Sequence, residues 1–112
     1  MEISVAICTY NRERYLPQLF DSIVAQTLNP SQFEIILIDN NSPGNTKELF
    51  DEFTHRNPLI VSHYFLETQQ GLSHARNRAI SEAKAPTITF LDDDAFITPN
   101  YLNELIKKGW LF

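Results

Sequence analysis

Apolar runs and helically spaced apolar positions alternate along the chain. Ile3-Ser4-Val5-Ala6-Ile7-Cys8 is a β-branched run that stops at the polar cluster Thr9-Tyr10-Asn11, which reads as a strand followed by a loop. Tyr15, Leu16, Leu19, Phe20, Ile23 and Val24 then recur at helical spacing, with Pro17 in the first turns, where its missing N–H is tolerated. Phe33 to Ile38 is almost continuously apolar, as in a strand covered on both faces, and it ends at the turn-rich Asp39-Asn40-Asn41-Ser42-Pro43-Gly44. Leu49, Phe50 and Phe53 predict a second helix, capped by Asn45 or Thr46 and closed before Pro58. Leu59 to Leu66 predicts a third strand, placed nearer an edge by polar Ser62 and His63. Gly71-Leu72-Ser73 opens a third helix with Ala75, Ala79, Ile80 and Ala83 on one face. A fourth strand, Thr87-Ile88-Thr89-Phe90-Leu91, runs straight into Asp92-Asp93-Asp94. Thr98-Pro99 reads as the N-cap and first residue of a last helix, Asn100 to about Lys108.

Strand and helix repeated in this way predict an α/β fold of parallel strands joined by helical crossovers. Right-handed crossovers make 3-2-1-4 the most economical strand order, with the winding reversing between strands 1 and 4. In such three-layer α/β/α folds ligands bind beyond the carboxyl ends of the strands at that reversal. Those ends carry Thr9-Tyr10-Asn11 and Asp92-Asp93-Asp94, with Asp39 closing the neighbouring strand 2.

Composition narrows the partners. The 112 residues carry nine basic and fourteen acidic side chains, a net charge of -5, which disfavours nucleic acid as a partner. Cys8 is the single cysteine, so no internal disulfide forms and a cytoplasmic compartment is expected. No apolar run approaches a membrane span.

The acidic triplet has two readings. Three adjacent carboxylates repel one another unless water or a cation relieves them. They form either a solvated acidic turn or a site for a hard divalent cation, Mg²⁺ or Mn²⁺, with positions left for phosphate oxygens. On an extended turn Asp92 and Asp94 would project to the same side. Asp39 either starts a turn or accepts from an N–H donor such as a pyrimidine imide. Tyr10 either packs or stacks on a base. Gly71 serves a helix-entry turn or a close backbone approach to an anion. Arg76 and Arg78 are surface charges, or Arg76 pairs with the acidic site or a diphosphate. His55, His63 and His74 share no zinc spacing. Cys8 reads as a small core residue. The Gly-x-Gly-x-x-Gly, Walker and Gly-x-Ser-x-Gly patterns are absent.

Four segments in register then resemble the family 2 inverting glycosyltransferases. They are Ile3 to Arg12 (the opening strand and loop), Phe33 to Ser42, Gly71 to Asn77 with its Ala75-Arg76-Asn77, and Ile88 to Asp94 with its Asp-x-Asp strand. The resemblance implies the Rossmann-like GT-A fold and transfer of a sugar from a nucleotide-diphospho-sugar, with UDP expected and GDP or dTDP left open. It implies that Thr9 and Tyr10 line the base pocket and that Asp39 binds the base imide. Asp92, with Asp93 beside it, would face the nucleoside and its ribose. Asp94 would hold Mn²⁺ or Mg²⁺ against the diphosphate, and Gly71, Arg76 and Asn77 would support that side. The family's general base lies in an acceptor-binding half, expected beyond Phe112, so residues 1–112 are read as the donor-binding portion of a truncated fold. The acceptor, a glycan, lipid or protein, stays open. Polysaccharide synthesis at the cytoplasmic face of a membrane is the expected setting. The alternative is a non-catalytic module of the same fold that self-associates through its apolar C-terminus, Trp110-Leu111-Phe112.

Overall fold

The computed structural model describes residues 1–108. Four strands, β1 (Ile3–Thr9), β2 (Phe33–Asp39), β3 (Val61–Leu66) and β4 (Thr87–Asp92), form one sheet in the order β3-β2-β1-β4. All three pairings are parallel, with Thr9 opposite Asp39 and Cys8 opposite Asp92. The connections contain α1 (Leu16–Val24), α2 (Thr46–Arg56) and α3 (Leu72–Glu82), and α4 (Tyr101–Lys108) follows β4. This is the 3-2-1-4 order that the alternating pattern predicts, and the Rossmann-like GT-A arrangement that the resemblance implies. No helix among the described residues is long and apolar enough to cross a membrane.

The alternation of side chains along each strand builds two different layers. On one face Ile3, Val5 and Ile7 of β1 and Phe33, Ile35 and Leu37 of β2 meet the apolar stripes of α1, α2 and α4. Phe20 stacks on Phe53 with centroids 4.7 Å apart and meets Phe50 edge-on at 6.0 Å, each such pair adding about 0.5–1.5 kcal/mol beyond its buried area. On the other face Ala6, Ile36 and Ile38 receive Ala75 and Ala79 of α3; the three alanines let that helix lie close to the sheet. Every residue of β2 is buried, whereas β3 is only partly covered and forms an edge.

Four local expectations are corrected. Ile80 is 57% exposed, so the buried stripe of α3 is the alanine pair rather than the larger residue. Leu59 is 81% exposed and precedes β3, which starts two residues later. Thr98 and Pro99 do not cap α4: the Tyr101 N–H closes a turn on the Thr98 carbonyl. The Thr98 and Pro99 carbonyls instead accept from the Gln26 side chain and the Thr27 N–H, which ties this turn to the end of α1. Asn45 precedes α2 but makes no capping hydrogen bond; the buried Thr46 hydroxyl donates to Glu13 Oε1 at 2.9 Å.

One polar network crosses the amino-terminal end of the sheet. Glu34 is fully buried and accepts from the Ser4 hydroxyl at 2.5 Å and the Lys84 N–H at 2.8 Å. Ser4 Oγ in turn accepts from the Ala85 N–H at 3.1 Å, so one hydroxyl links β1, β2 and the turn entering β4. Ser4→Ala strands a donor and weakens the seat of a buried carboxylate, a loss of about 1–2 kcal/mol. Urea unfolding should show the midpoint falling with an unchanged m-value.

Candidate functional site

The carboxyl ends of β1, β2 and β4 converge at the reversal of winding. Thr9, the last residue of β1, lies between Asp39 of β2 and the loop after β4. Its hydroxyl donates to Asp93 Oδ2 at 3.0 Å, and its carbonyl accepts the Asn40 N–H at 2.9 Å. The chain then turns sharply at Asn11, whose φ of 54° is the left-handed conformation that asparagine tolerates. The Asn11 N–H donates to Ser42 Oγ at 2.9 Å, which joins the loops after β1 and β2.

That turn delivers Arg12 to the acidic triplet. Its Nη2 lies 3.1 Å from Asp94 Oδ2 and its Nε 3.9 Å from Asp93 Oδ1. The guanidinium rests over the Tyr15 ring, 4.5 Å from its centroid. The residue that answers the triplet is therefore Arg12 and not Arg76, which lies over the Phe90 ring at 5.5 Å.

The triplet itself is not extended. The Ala95 N–H bonds the Asp92 carbonyl at 3.0 Å, so Asp93 and Asp94 occupy the middle of a tight turn and the expected same-side projection of Asp92 and Asp94 does not follow from strand alternation. Asp92 and Asp94 are exposed, while the Asp93 side chain is only 13% exposed. Burial pushes the Asp93 carboxyl above the ordinary carboxylate range. The Thr9 hydroxyl and Arg12 pull it back, and the Asp94 and Asp92 charges push it up.

Asp39 is buried, and both its oxygens already accept. The Ser42 N–H donates to Oδ1 at 2.8 Å and the Tyr64 hydroxyl to Oδ2 at 2.5 Å. Burial and the bond to Asp39 both raise the Tyr64 pKa, so this hydroxyl stays a donor at any physiological pH. A further N–H could share only a remaining lone pair of Asp39.

Asn40, marked in the sequence only as part of a turn, organises the opposite wall. Its Nδ2 donates to the Glu67 and Gln69 carbonyls at 2.9 and 2.8 Å, and its Oδ1 accepts the Gly71 N–H at 3.0 Å. Gln70 Nε2 closes on the Asn40 carbonyl at 2.6 Å. Gly71 has φ 127° and ψ 141°, a region open essentially to glycine alone, and α3 starts at the next residue. A Cβ there would meet only His74 Cδ2, at 3.5 Å, so the requirement is backbone conformation rather than space.

Between these walls opens a cavity of about 120 Å³ lined by Cys8, Thr9, Tyr10, Asn40, Leu72 and Ala75. Tyr10 is 48% exposed at its mouth, available for stacking rather than packed. Arg76 and Asn77 are exposed on the first turns of α3. Arg78 is taken up by Glu82, Glu67 and the Leu66 carbonyl. Cys8 is half-buried: it packs against the Ala6, Ile36 and Ile38 cluster and also reaches the cavity wall. Burial pushes its thiol up to about 11, with Arg76 opposing and Asp93 adding to the shift. Alkylation by iodoacetamide at pH 8 should therefore run roughly tenfold slower than for a free thiol and accelerate as pH rises. The mass-shift time course checks this.

Comparison with known proteins gives the family and the fold. The family described as "Glycosyl transferase family 2" matches residues 4–108. The chain belongs to that family. It is 37% identical over 110 residues to the uncharacterized glycosyltransferase YwdF of Bacillus subtilis, covering 96% of the chain and 38% of that protein. It is 33% identical over 107 residues to glycosyltransferase GlyA of Streptococcus pneumoniae, covering 96% of the chain and 15% of that protein. The structure of residues 1–349 of Staphylococcus aureus TarS in complex with UDP superposes with a TM-score of 0.87 at 26% identity, over 96% of this chain and 31% of that one. TarS is a poly(ribitol-phosphate) beta-N-acetylglucosaminyltransferase. The chain thus spans well under half the length of these relatives.

Within this family 2 domain, the donors suited to a divalent cation are the exposed Asp94 carboxylate and its neighbour Asp92. No three His, Cys, Asp or Glu side chains form a metal cage among the described residues. The set fits a cation held by one or two carboxylates and completed by phosphate oxygens, because the hard oxygen ligands of Asp92 and Asp94 are exposed at the sheet's reversal point. The Trp110 and Phe112 proposed for self-association lie outside the described residues.

Proposed function

We infer that this chain forms the donor-binding region of an inverting, metal-dependent glycosyltransferase that uses a nucleotide-diphospho-sugar. The observation that carries the reading is the convergence of Thr9, Arg12, Asp93 and Asp94 at the reversal point of the sheet. A cavity of about 120 Å³ opens beside them. The TarS complexes with UDP and UDP-GlcNAc support a uridine nucleotide as donor. The complex of a Pyrobaculum calidifontis mannosyltransferase with GDP-Man and Mn²⁺, 23% identical, supports the shared fold.

Each residue has a part set by its position. Tyr10 covers one face of the base, and Asp39, fixed by Tyr64 and Ser42, offers a remaining lone pair to the base imide. Asp92 faces the ribose, with Asp93 held beneath it by Thr9. Gly71 brings the first N–H groups of α3 to the diphosphate side, where a helix start favours negative charge, and Arg76 and Asn77 flank that start. Asp94 holds Mn²⁺ or Mg²⁺, which supplies electrostatic stabilisation of the diphosphate leaving group. The proton of the acceptor hydroxyl needs a general base, a role given to no residue of this chain.

Isothermal titration of UDP into the protein, with and without MnCl₂, tests the reading. Saturable one-to-one binding that tightens with Mn²⁺ is expected. Absence of binding at millimolar UDP with Mn²⁺ present refutes it, and GDP and dTDP run in parallel set the nucleotide preference.

A further inference from the structure

We propose that Arg12 is a resident counter-ion for the metal carboxylate, which the divalent cation must displace and which the donor's diphosphate then takes over. The inference rests on the donor-site reading above and adds a residue that orders the binding of its two ligands. Arg12 Nη2 sits 3.1 Å from Asp94 Oδ2, on the carboxylate assigned to the cation, and Nε lies 3.9 Å from Asp93 Oδ1. One positive charge thus spans two of the three aspartates. A cation binding Asp94 and a guanidinium bonded to the same oxygen repel each other, since both seek the same lone pairs.

The guanidinium is held loosely for such an exchange. Its side chain is 42% exposed and that of Asp94 is 50% exposed, a pair of the solvent-screened kind that contributes little to stability. Arg12 Nε is shielded from solvent yet has no hydrogen-bond partner, so the contact with the triplet is incomplete. Tyr15 supports the guanidinium with its ring centroid 4.5 Å away. A planar fork of this kind matches phosphate oxygens as well as carboxylates. Arrival of a metal–diphosphate unit would satisfy both partners together: the cation takes Asp94 and the fork takes a phosphate oxygen. The two ligands then bind cooperatively, and by linkage each tightens the other by the same factor.

The test is a binding cycle on the protein and on Arg12→Met, which keeps an apolar stem against Tyr15 and removes the charge. Mn²⁺ affinity is measured by electron paramagnetic resonance of the free ion, alone and with saturating UDP. Arg12→Met should bind Mn²⁺ alone roughly three- to tenfold more tightly, the scale of removing one partly screened charge. The tightening of Mn²⁺ caused by UDP should shrink. Arg12→Lys should recover most of the parent's coupling. An unchanged or weaker Mn²⁺ affinity in Arg12→Met, or an undiminished effect of UDP, overturns the proposal. These outcomes are distinct from failure of the donor-site reading, in which the parent itself would bind no UDP. Circular dichroism melts confirm that the variants are folded, as expected for an exposed pair.

Discussion

Asp94→Ala is expected to lower the affinity for UDP in the presence of Mn²⁺ by about a hundredfold, equivalent to about 2.8 kcal/mol, while leaving the fold intact. The two halves of this expectation have separate physical origins. Asp94 sits at the middle of a tight turn, half exposed, and its ion pair with Arg12 is solvent-screened, so its loss should cost folding stability less than about 1 kcal/mol. Its carboxylate is nevertheless far more accessible than that of Asp93, which is largely buried and bonded to Thr9. Removing it takes away the protein's hold on a cation whose other ligands come from phosphate and water. Asp94→Asn keeps an oxygen but not the charge and should fall between the parent and alanine. Calorimetry with and without Mn²⁺ checks the prediction, because the metal-free affinity for UDP should change little. An equal loss in both conditions would show that Asp94 acts on the nucleotide rather than through a cation.

The sheet was legible from the sequence because its information is local. Continuous apolar runs such as Phe33 to Ile38 are buried throughout, and the strand order is the most economical one that right-handed crossovers allow. The ends of those runs also marked Thr9, Asp39 and the Asp92-Asp93-Asp94 triplet. What the sequence concealed depends on partners far along the chain. Arg12 and Asp94 are 82 residues apart, and nothing in Thr9-Tyr10-Asn11-Arg12 says which arginine reaches the triplet. Arg76 suits a pairing with the triplet by residue type, but its helix packs over Ala6, Ile36 and Ile38 and its guanidinium lies over Phe90. Thr98-Pro99 shows the same limit in reverse: its composition suits a helix start, yet Gln26 and Thr27 claim both carbonyls. Asn40 carries one local signal, an amide directly after a fully buried strand, where an unpartnered polar group would be costly.

Asn40→Ala is accordingly expected to be a severe substitution at a site that touches no proposed metal. The side chain makes three hydrogen bonds, to the Glu67 and Gln69 carbonyls and from the Gly71 N–H, and is 5% exposed. Truncation leaves those three backbone groups without their partner in a partly buried position, at a cost of about 1 kcal/mol or more each and about 3 kcal/mol together. The damage is directional. Residues 67–71 lead into α3, and Gly71 must hold a glycine-only conformation for the helix to begin at Leu72. With the amide gone, the stretch from Glu67 to Gly71 loses its template, and the cavity beside Leu72 and Ala75 loses a wall. The midpoint of urea unfolding should fall markedly, and UDP affinity should drop even at temperatures where the protein remains folded. Amide hydrogen exchange separates the local from the global effect. Protection should be lost first at Gly71, whose N–H is the one given up, while the strand amides of β1 and β2 follow only as global stability falls. Uniform loss of protection across the sheet and the loop would instead assign Asn40 a purely global role in stability, and the UDP affinity of the remaining folded fraction would then match the parent.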